Sequence, residues 1–554
     1  MRHKFMLIAL ACLMLAACHK TSKSESRHVT PSAAQKQNGA LRVAAALPQP
    51  VDLLTFKPVS GAKIQTELLE GWVRYAVEAP GYRRKLVWSR LDTPQPERVT
   101  LAPTNEETYR EAAWKNINAP RLIMLGIDGM TESLFRAAMK RGDLPAFKLL
   151  LEQGAMGPLQ SCCEMISPSI WTTIYTGLSP EQHGITNFLG RDPTTGQTFT
   201  LTHKHVKAPR LWDIVKRFGE KSVTIGGWLM DPETTVPEPM RDAAARKFAF
   251  RRVLSIQRPN LAVVYEEEAD YEGHHWWKAM EPKPFRAHGW TVTDAEVRFH
   301  GERIAQAYRN LDEWAALALQ AAGPETVILI SSDHGFQGTP NDPPVTANSG
   351  AFADYAAPRE FHSCEMKNVN EIMLCADKAA DPRPFAQTLR AARLDNGAVP
   401  FSLVTDRTMP SFENNISQTI AIRILLNSAT IYDAVVQNRQ ITIGDRSCAV
   451  RSFLEPNPSS GGHMGIGLFF IAGQEIMPGA RITDASVYDI MPNALTVLGL
   501  PIGRDMPGHV WLPAYREQPN VTTIATYGRI QPGGRPTPPL PEELQWLRSL
   551  GYIN

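Results

Sequence analysis

The sequence predicts an α/β protein whose mostly parallel central sheet is covered by helices on both faces. From about Pro120, short apolar runs alternate with amphipathic stretches, which is the pattern of such a sheet. The chain has 554 residues, 43% hydrophobic and 21% charged, as is usual for a globular protein with a large core. Its 58 Lys and Arg nearly balance 56 Asp and Glu, for a formal net charge of +2, which argues against binding of duplex nucleic acid.

The predicted strands and helices alternate along the chain. The predicted strands are Leu122–Ile127, Ser222–Ile225, Leu261–Tyr265, Thr326–Ile330 and Leu468–Ala472. The predicted helices are Glu132–Lys140, Leu211–Phe218, Thr293–Ala322 and Tyr488–Leu498.

Composition divides the chain further. The main unit would comprise residues 116–336 and 461–515, with residues 337–460 inserted before its last strand as a cap. Alternating apolar and polar residues over 51–115 predict a small N-terminal β-rich region. Residues 516–554 form a Pro-rich tail that closes with a short helix.

Residues 1–18 have the features of an export signal, and residues 19–50 those of a polar tether. A basic start precedes a short apolar run that ends in the letters LAAC at Cys18, which resembles a bacterial lipobox. Cleavage there would leave Cys18 as a lipidated N-terminus, whereas the alternative is an ordinary signal peptide with a chance cysteine. We expect a lipid-anchored protein of the bacterial cell envelope that faces the periplasm, at the inner or the outer membrane.

The cysteines agree with an oxidising compartment, in which disulfides form. Cys364 and Cys375 are the expected local pair. Five cysteines follow Cys18, so at least one thiol stays unpaired.

Acidic residues and histidines stand beside the ends of the predicted strands, where ligands bind in open α/β sheets. A single Asp at such a place is more often a helix cap, and a single His is more often structural. Chance placement of a whole set at one sheet edge is much less plausible. Carboxylates and imidazoles together suit zinc or a similar divalent ion. The set consists of Asp128, Asp270, His274, Asp333, His334 and His463.

Ser167, which precedes Pro168, is the candidate nucleophile. Ser followed by Pro is typical of a helix N-terminus, so a capping role is the simpler alternative. The same position offers free N–H groups and partial positive charge, which stabilise an alkoxide and a bound phosphate. A metal ion on the hydroxyl would lower its pKa further, so no histidine base is needed.

These motifs resemble the alkaline phosphatase superfamily, and most closely its type I phosphodiesterase/nucleotide pyrophosphatase family. The resemblance runs from about Arg121 to Pro513 and includes Asp270-x-x-Gly-His274, Asp333-His334-Gly335 and Gly462-His463. It implies an alkaline-phosphatase-like fold and two Zn²⁺ ions, with other divalent ions as alternatives. One ion would be held by Asp270, His274 and His463, and the other by Asp128, Ser167, Asp333 and His334.

The resemblance also implies hydrolysis of a small-molecule or lipid phosphoester through a phosphoseryl intermediate on Ser167. Asn187 would bind the phosphate group, or would instead be a polar turn residue. The sequence Ser-Pro-Ser-Ile at Ser167 departs from the Thr-Phe-Pro-Asn of many nucleotide pyrophosphatases, which leaves nucleotide preference open.

Other activities of the same site stay as alternatives. They are phosphomonoesterase, phosphonate hydrolase and phospho-head-group transferase. An inactive binding lipoprotein is a further alternative, although the complete ligand set and the retained Ser167 argue against it. A sulfatase is not expected, because Cys162 and Cys163 lie outside a Cys-x-Pro-x-Arg motif.

Overall fold

The computed structural model describes ten stretches of the chain. They are residues 42–45, 59–96, 98–192, 198–227, 243–342, 344–363, 371–376, 381–410, 418–533 and 537–550. Cys18, the predicted export signal and most of the predicted tether lie outside these residues. Within them, no helix combines the length and the apolar character that a membrane crossing requires.

A six-stranded sheet forms the centre of the molecule. Four neighbouring strands, β3, β4, β1 and β5, are parallel, whereas β6 pairs antiparallel with both β5 and the edge strand β2. Strands β1, β4 and β5 are buried along their whole lengths, which explains their nearly unbroken apolar sequences. The strands are β1 (Leu122–Ile127), β2 (Gly154–Gln160), β3 (Ser222–Ile225), β4 (Leu261–Glu266), β5 (Val327–Ser331) and β6 (Ile466–Ala472).

Helices cover both faces of this sheet, as predicted. One hydrophobic cluster joins α1, α2, α5 and α7 to one face, and a second joins α3, α4 and α8 to the other. Neighbouring residues of β1 divide between the two clusters, with Ile123 in the first and Met124 in the second. The helices are α1 (Glu132–Arg141), α2 (Pro145–Glu152), α3 (Ser167–Thr176), α4 (Leu211–Arg217), α5 (Ala243–Gln257), α6 (Glu268–Met280), α7 (Arg303–Ala321) and α8 (Ile490–Val497).

Two features of the sheet differ from the sequence prediction. The sequence does not predict β2, because Gly157 and Pro158 have low strand propensity; the strand lies at a sheet edge, where proline is tolerated. The sequence also does not predict that β6 runs opposite to its neighbour. As a result, residues just before β6 lie at the same edge as residues just after β1 and β5.

The long helix predicted over 293–322 is two helices. Asp294–His300 ends before Gly301, and α7 begins at Arg303. Glycine is a poor helix former, which accounts for the break. Further short helices are Glu106–Ala112, Pro180–His183 and Pro282–Ala287.

Residues within the predicted insertion 337–460 have a hydrophobic cluster of their own. A four-stranded sheet has the spatial order Phe361–Ser363, Glu371–Ala376, Gln418–Leu426 and Phe401–Pro410. A three-stranded sheet comprises Arg393–Leu394, Gln440–Ile443 and Arg446–Ala449. The helices are Ser349–Ala356, Arg383–Arg390 and Ser428–Val436.

The N-terminal region contains a three-stranded antiparallel sheet with a small cluster of its own. We call Lys63–Leu69, Trp72–Glu78 and Lys85–Arg90 the N-terminal sheet. Short pairs elsewhere are Arg42–Ala45 with Arg98–Leu101, Leu189–Arg191 with Thr198–Thr200, Gly335–Gly338 with Gly461–Met464, Val345–Ala347 with Leu454–Pro456, and Ile502–Gly503 with Thr523–Ile524. The tail ends in the helix Pro541–Ser549.

The described cysteines are in different states. Cys375 is disulfide-bonded, while its predicted partner Cys364 lies outside the described residues. The adjacent Cys162 and Cys163 form a disulfide, which the sequence analysis does not predict. Cys448 has a free thiol.

Phe470 of β6 joins two helices to the sheet. Its ring centroid lies 5.0 Å from those of Phe135 in α1 and Phe147 in α2. Replacing Phe470 by Ala should lower the free energy of unfolding by about 3–5 kcal/mol, because apolar contacts are lost and a cavity remains. Urea unfolding of both proteins measures the change. Phe218→Ala, at a side chain 49% exposed, is the control and should cost much less; equal losses would contradict the prediction.

Candidate metal centre and nucleophile

The fold brings seven predicted side chains together at the carboxyl edge of the parallel strands. They come from five places in the chain: after β1, at the start of α3, on α6 after β4, after β5, and in the strand Gly461–Met464 before β6. Six of them are buried, and His463 is half-buried, although only 6% of its side chain is exposed. The residues are Asp128, Ser167, Asp270, His274, Asp333, His334 and His463.

A first group of potential ligand atoms is centred on α6. Asp270 and His274 are four residues apart and therefore share one face of the helix. Asp270 Oδ1 lies 3.5 Å from His274 Nε2 and 3.3 Å from His463 Nε2. The two imidazole Nε2 atoms are 3.1 Å apart. These three ligand atoms are close enough to hold one metal ion.

A second group surrounds His334 Nε2. Asp128 Oδ1 and Asp333 Oδ2 each lie 3.3 Å from this nitrogen, as does Ser167 Oγ. Asp270 Oδ1 is 3.9 Å from it, so the Asp270 carboxylate also belongs to a potential metal site with Asp128 and His334. The structure thus places Asp270 between the two groups, a position that the sequence does not reveal.

Hydrogen bonds fix the orientation of the three imidazoles. Nδ1 of His463 donates to Met165 O at 2.8 Å, and Nδ1 of His334 donates to Gly335 O at 3.0 Å. His274 Nδ1 donates to Ser459 Oγ at 2.9 Å, because the Ser459 hydroxyl donates its own hydrogen to the Gly461 carbonyl oxygen. Because Nδ1 carries the hydrogen, each Nε2 can present its lone pair to a cation.

The facing Nε2 atoms of His274 and His463 require a positive charge. Two nitrogen lone pairs 3.1 Å apart repel each other unless a proton or a metal ion neutralises them. In the metal-free protein, burial acts to lower the pKa of His463, but the neighbouring Asp270 carboxylate outweighs burial and raises it. Burial and the neighbouring His463 hold the pKa of His274 well below its usual range.

The three carboxylates of the site also require a neutralising positive charge. Asp128 Oδ1, Asp270 Oδ1 and Asp333 Oδ2 are buried and have no hydrogen-bond donor among the described residues. Burial and the Asp270 charge raise the pKa of Asp128 to about 7. Burial and the charges of Asp128 and Asp270 raise that of Asp333 well above its usual range. Since divalent cations neutralise such clusters, these residues fit metal ions.

Three further residues hold the ligands in place, and the sequence analysis does not single out any of them. Trp171 Nε1 and the Tyr265 hydroxyl donate to Asp128 Oδ2 at 3.0 and 2.7 Å. Ser459 orients His274 as described above. Trp171 lies four residues after Ser167 on α3, and this helical spacing could have indicated from the sequence that it lies near the site. The sequence around Ser459 contains no such indication.

Ser167 is the first residue of α3, and Ile166 is the N-cap. Ser167 is therefore not the capping residue, because the N-cap lies one position earlier. Its hydroxyl oxygen lies 3.3 Å from His334 Nε2. A hydroxyl beside potential metal ligands and at a helix N-terminus has the surroundings that a nucleophile needs.

Asn187 lies in the loop that follows Pro180–His183, and no contact with the seven side chains is seen in the described part of the chain. Its Oδ1 accepts a hydrogen bond from Phe188 N–H at 2.7 Å, which is typical of a turn residue. His183 holds this loop to α3 through an Nε2–Thr173 Oγ1 contact of 3.1 Å. Burial lowers the pKa of His183 to about 3, so the ring is neutral. Phosphate binding by Asn187 stays a prediction.

Comparison with known proteins adds one match. The family model described as type I phosphodiesterase / nucleotide pyrophosphatase matches residues 122–359. This stretch contains β1 to β5 and six of the seven side chains, and His463 lies beyond it. No curated protein matches the chain.

Removal of one imidazole tests the metal site. His463→Ala should weaken binding of a divalent ion by at least about tenfold, since one ligand of the first group is lost. The measurement is the metal-to-protein ratio after dialysis against a limiting metal buffer. His288→Ala, at an exposed histidine, should keep the wild-type ratio. An unchanged ratio in His463→Ala would remove His463 from the ligand set.

Proposed function

We propose that the chain hydrolyses phosphodiesters or pyrophosphates through a phosphoseryl intermediate. Residues 122–359 match the model of the type I phosphodiesterase/nucleotide pyrophosphatase family, a family of phosphoric ester hydrolases in the alkaline phosphatase superfamily. The observation that carries this proposal is the position of Ser167 Oγ, 3.3 Å from His334 Nε2. The carboxylate oxygens of Asp128 and Asp333 lie equally close to that nitrogen. A nucleophile and a cation site thus share one pocket.

Two zinc ions are the proposed cofactors. Asp270, His274 and His463 would hold one ion, and Asp128, Ser167, Asp333 and His334 the other. The support is the mixed oxygen and nitrogen donor set, which suits zinc, together with three imidazoles whose Nδ1 atoms donate hydrogen bonds, so that each Nε2 has a lone pair for a metal ion. Asp270 Oδ1 lies near ligand atoms of both groups and is placed to contribute to either ion.

The chemistry divides between the ions and the protein. When bound, two divalent ions lower the pKa of a hydroxyl and offset negative charge on the phosphoryl oxygens. Ser167 releases its hydroxyl proton to solvent and Oγ attacks phosphorus. The Oγ–P bond forms as the ester P–O bond breaks, and the leaving oxygen takes up a proton from solvent. Water then attacks the phosphoseryl phosphorus, the Oγ–P bond breaks, and Ser167 regains its hydroxyl proton.

The residues around the ligands hold the ligand side chains in place, so these side chains need to move little during the reaction. Trp171 and Tyr265 fix one oxygen of Asp128, which leaves its other oxygen directed at His334. Ser459, near the end of the predicted insertion, orients His274. The insertion is therefore linked directly to the site, and we propose that it also shapes substrate choice.

We also propose that Cys18 is lipidated and anchors the protein in the bacterial cell envelope, facing the periplasm. The support is the sequence LAAC after a short apolar run and the polar stretch that follows it. A lipid chain together with the tether would leave the folded part free to reach small-molecule or lipid phosphoesters.

Replacing Ser167 by Ala should lower kcat by at least about a thousandfold while metal content stays unchanged. The nucleophile is lost, whereas the carboxylate and imidazole ligands remain. Turnover and metal content are measured on the same preparation. Ser167→Thr, which keeps a hydroxyl, is the matched control and should retain measurable turnover. Full activity of Ser167→Ala would exclude the phosphoseryl route.

Two model substrates test the reaction class. The metal-loaded protein should show a higher kcat/KM for bis-p-nitrophenyl phosphate than for p-nitrophenyl phosphate, in line with its family. Chelator treatment should abolish both activities, and zinc should restore them. A clear preference for the monoester would instead support the phosphomonoesterase alternative on the same residues.

The anchor has its own test. Cells that express the full chain are labelled with a clickable fatty acid and fractionated. The wild-type protein should carry the label and sediment with membranes, whereas Cys18→Ala should lack the label. Cys12→Ala, which changes a cysteine inside the predicted signal, is the control and should still be labelled. Equal labelling of Cys18→Ala would reject lipidation at this residue.

A further inference from the structure

Helix α6 has a second functional face, opposite the one that carries Asp270 and His274. Glu272 and Trp276 each lie two residues further along, which is about 200° around the helix axis. The metal-binding face and this second face therefore point in nearly opposite directions. The residues that contact this second face therefore determine the positions of Asp270 and His274.

Arg303, at the start of α7, is the main partner of this second face. Its side chain is 3% exposed, and Nη1 donates to Glu272 Oε1 at 3.2 Å. The Arg303 Nε–H donates to His300 Nδ1 at 2.8 Å. A buried guanidinium paired with one carboxylate ties α7 to α6 in a fixed geometry.

Three tryptophans enclose the same guanidinium. Its carbon lies 4.3 Å from the ring centroid of Trp72, 4.9 Å from that of Trp88 and 4.6 Å from that of Trp276. Trp276 belongs to α6, whereas Trp72 and Trp88 belong to the N-terminal sheet. We call Arg303, Glu272 and these three tryptophans the Arg303 clamp. Cation–π attraction joins three separate elements at this point.

The metal-binding side of α6 leaves no room for movement toward the site. A Cβ on Gly273 would lie 2.9 Å from Phe336 Cδ1, so the helix backbone already touches this ring. A Cβ on Gly129 would lie 2.9 Å from Asp270 Cα. The helix is therefore packed closely on one side, and the Arg303 clamp opposes movement away from the site on the other.

We propose that Arg303 is a positioning residue for the metal centre, and that the N-terminal sheet acts through it to set metal affinity. This inference rests on the proposed role of Asp270 and His274 as ligands. It assigns a function to a sheet that lies outside the stretch matched by the family. Loss of the clamp would leave both ligands present on a helix whose position is less well defined.

The test measures zinc affinity of the full chain by competition with a chelating dye. Arg303→Met, which keeps apolar bulk and removes the charge, should weaken zinc binding by about 10–100-fold, as loss of a ligand-supporting group does elsewhere. Trp72→Leu should act in the same direction. Arg303→Lys keeps the positive charge but lacks the planar guanidinium group, and it should retain part of the zinc affinity that Arg303→Met loses.

Arg83→Met is the matched control. Arg83 pairs with buried Asp312 at 2.9 Å, so this pair also joins the N-terminal region to α7, but it makes no contact with α6. The control should lower Tm yet leave zinc affinity unchanged. Circular dichroism at the assay temperature verifies that each variant is folded. If Arg303→Met does not fold, Arg303→Lys and Trp72→Leu decide the question.

Asp270→Ala separates the two proposals. Unchanged zinc affinity in Asp270→Ala would refute the ligand assignment itself. The positioning role alone would be overturned if Asp270→Ala loses zinc affinity while Arg303→Met keeps the wild-type affinity. The same conclusion would follow if both Arg303→Lys and Trp72→Leu keep it. A lower Tm of Arg303→Met at unchanged zinc affinity would show that the clamp stabilises the fold and nothing more.

Discussion

Buried carboxylates at one edge of the central sheet impose the main constraint on the structure, because their negative charge must be neutralised. Three carboxylate oxygens, from Asp128, Asp270 and Asp333, are buried there without a hydrogen-bond donor among the described residues. In an apolar interior, such groups either take up protons or bind cations. Three imidazoles direct their Nε2 atoms toward the same carboxylates, so the cluster can bind cations through both oxygen and nitrogen. The surrounding fold serves to keep these side chains close despite their mutual repulsion.

The antiparallel strand β6 makes this convergence possible. Asp128 and Asp333 follow parallel strands, so their position at the carboxyl edge is a simple consequence of strand direction. His463 precedes its strand and would lie at the far edge if β6 were parallel. Because β6 is reversed, the strand Gly461–Met464 pairs with Gly335–Gly338, and His463 stands opposite Phe336 beside His334. One reversal of direction thus brings a ligand from more than a hundred residues away into the site.

Support for the ligands comes from several separate parts of the described chain. Met165 and Ser459 orient imidazoles through single hydrogen bonds, and Trp171 fixes a carboxylate from the helix that begins with Ser167. The N-terminal sheet reaches the centre through the tryptophans around Arg303. Such supporting contacts define where the ligand atoms stand before a metal ion arrives, which is the condition for tight and selective binding.

The sequence alone predicted the fold class, the resemblance to a phosphodiesterase/nucleotide pyrophosphatase family and the side chains near the strand ends, because strand burial and local spacing show in neighbouring residues. The apolar run Leu122–Ile127 followed by Asp128 could be interpreted without knowledge of the rest of the chain. The edge strand Gly154–Gln160, the direction of β6 and the place of Asp270 between two ligand groups became known only from the folded chain. It alone revealed the partners Ser459 and Arg303. Those features arise from contacts between residues far apart in the chain, and such contacts leave no local pattern.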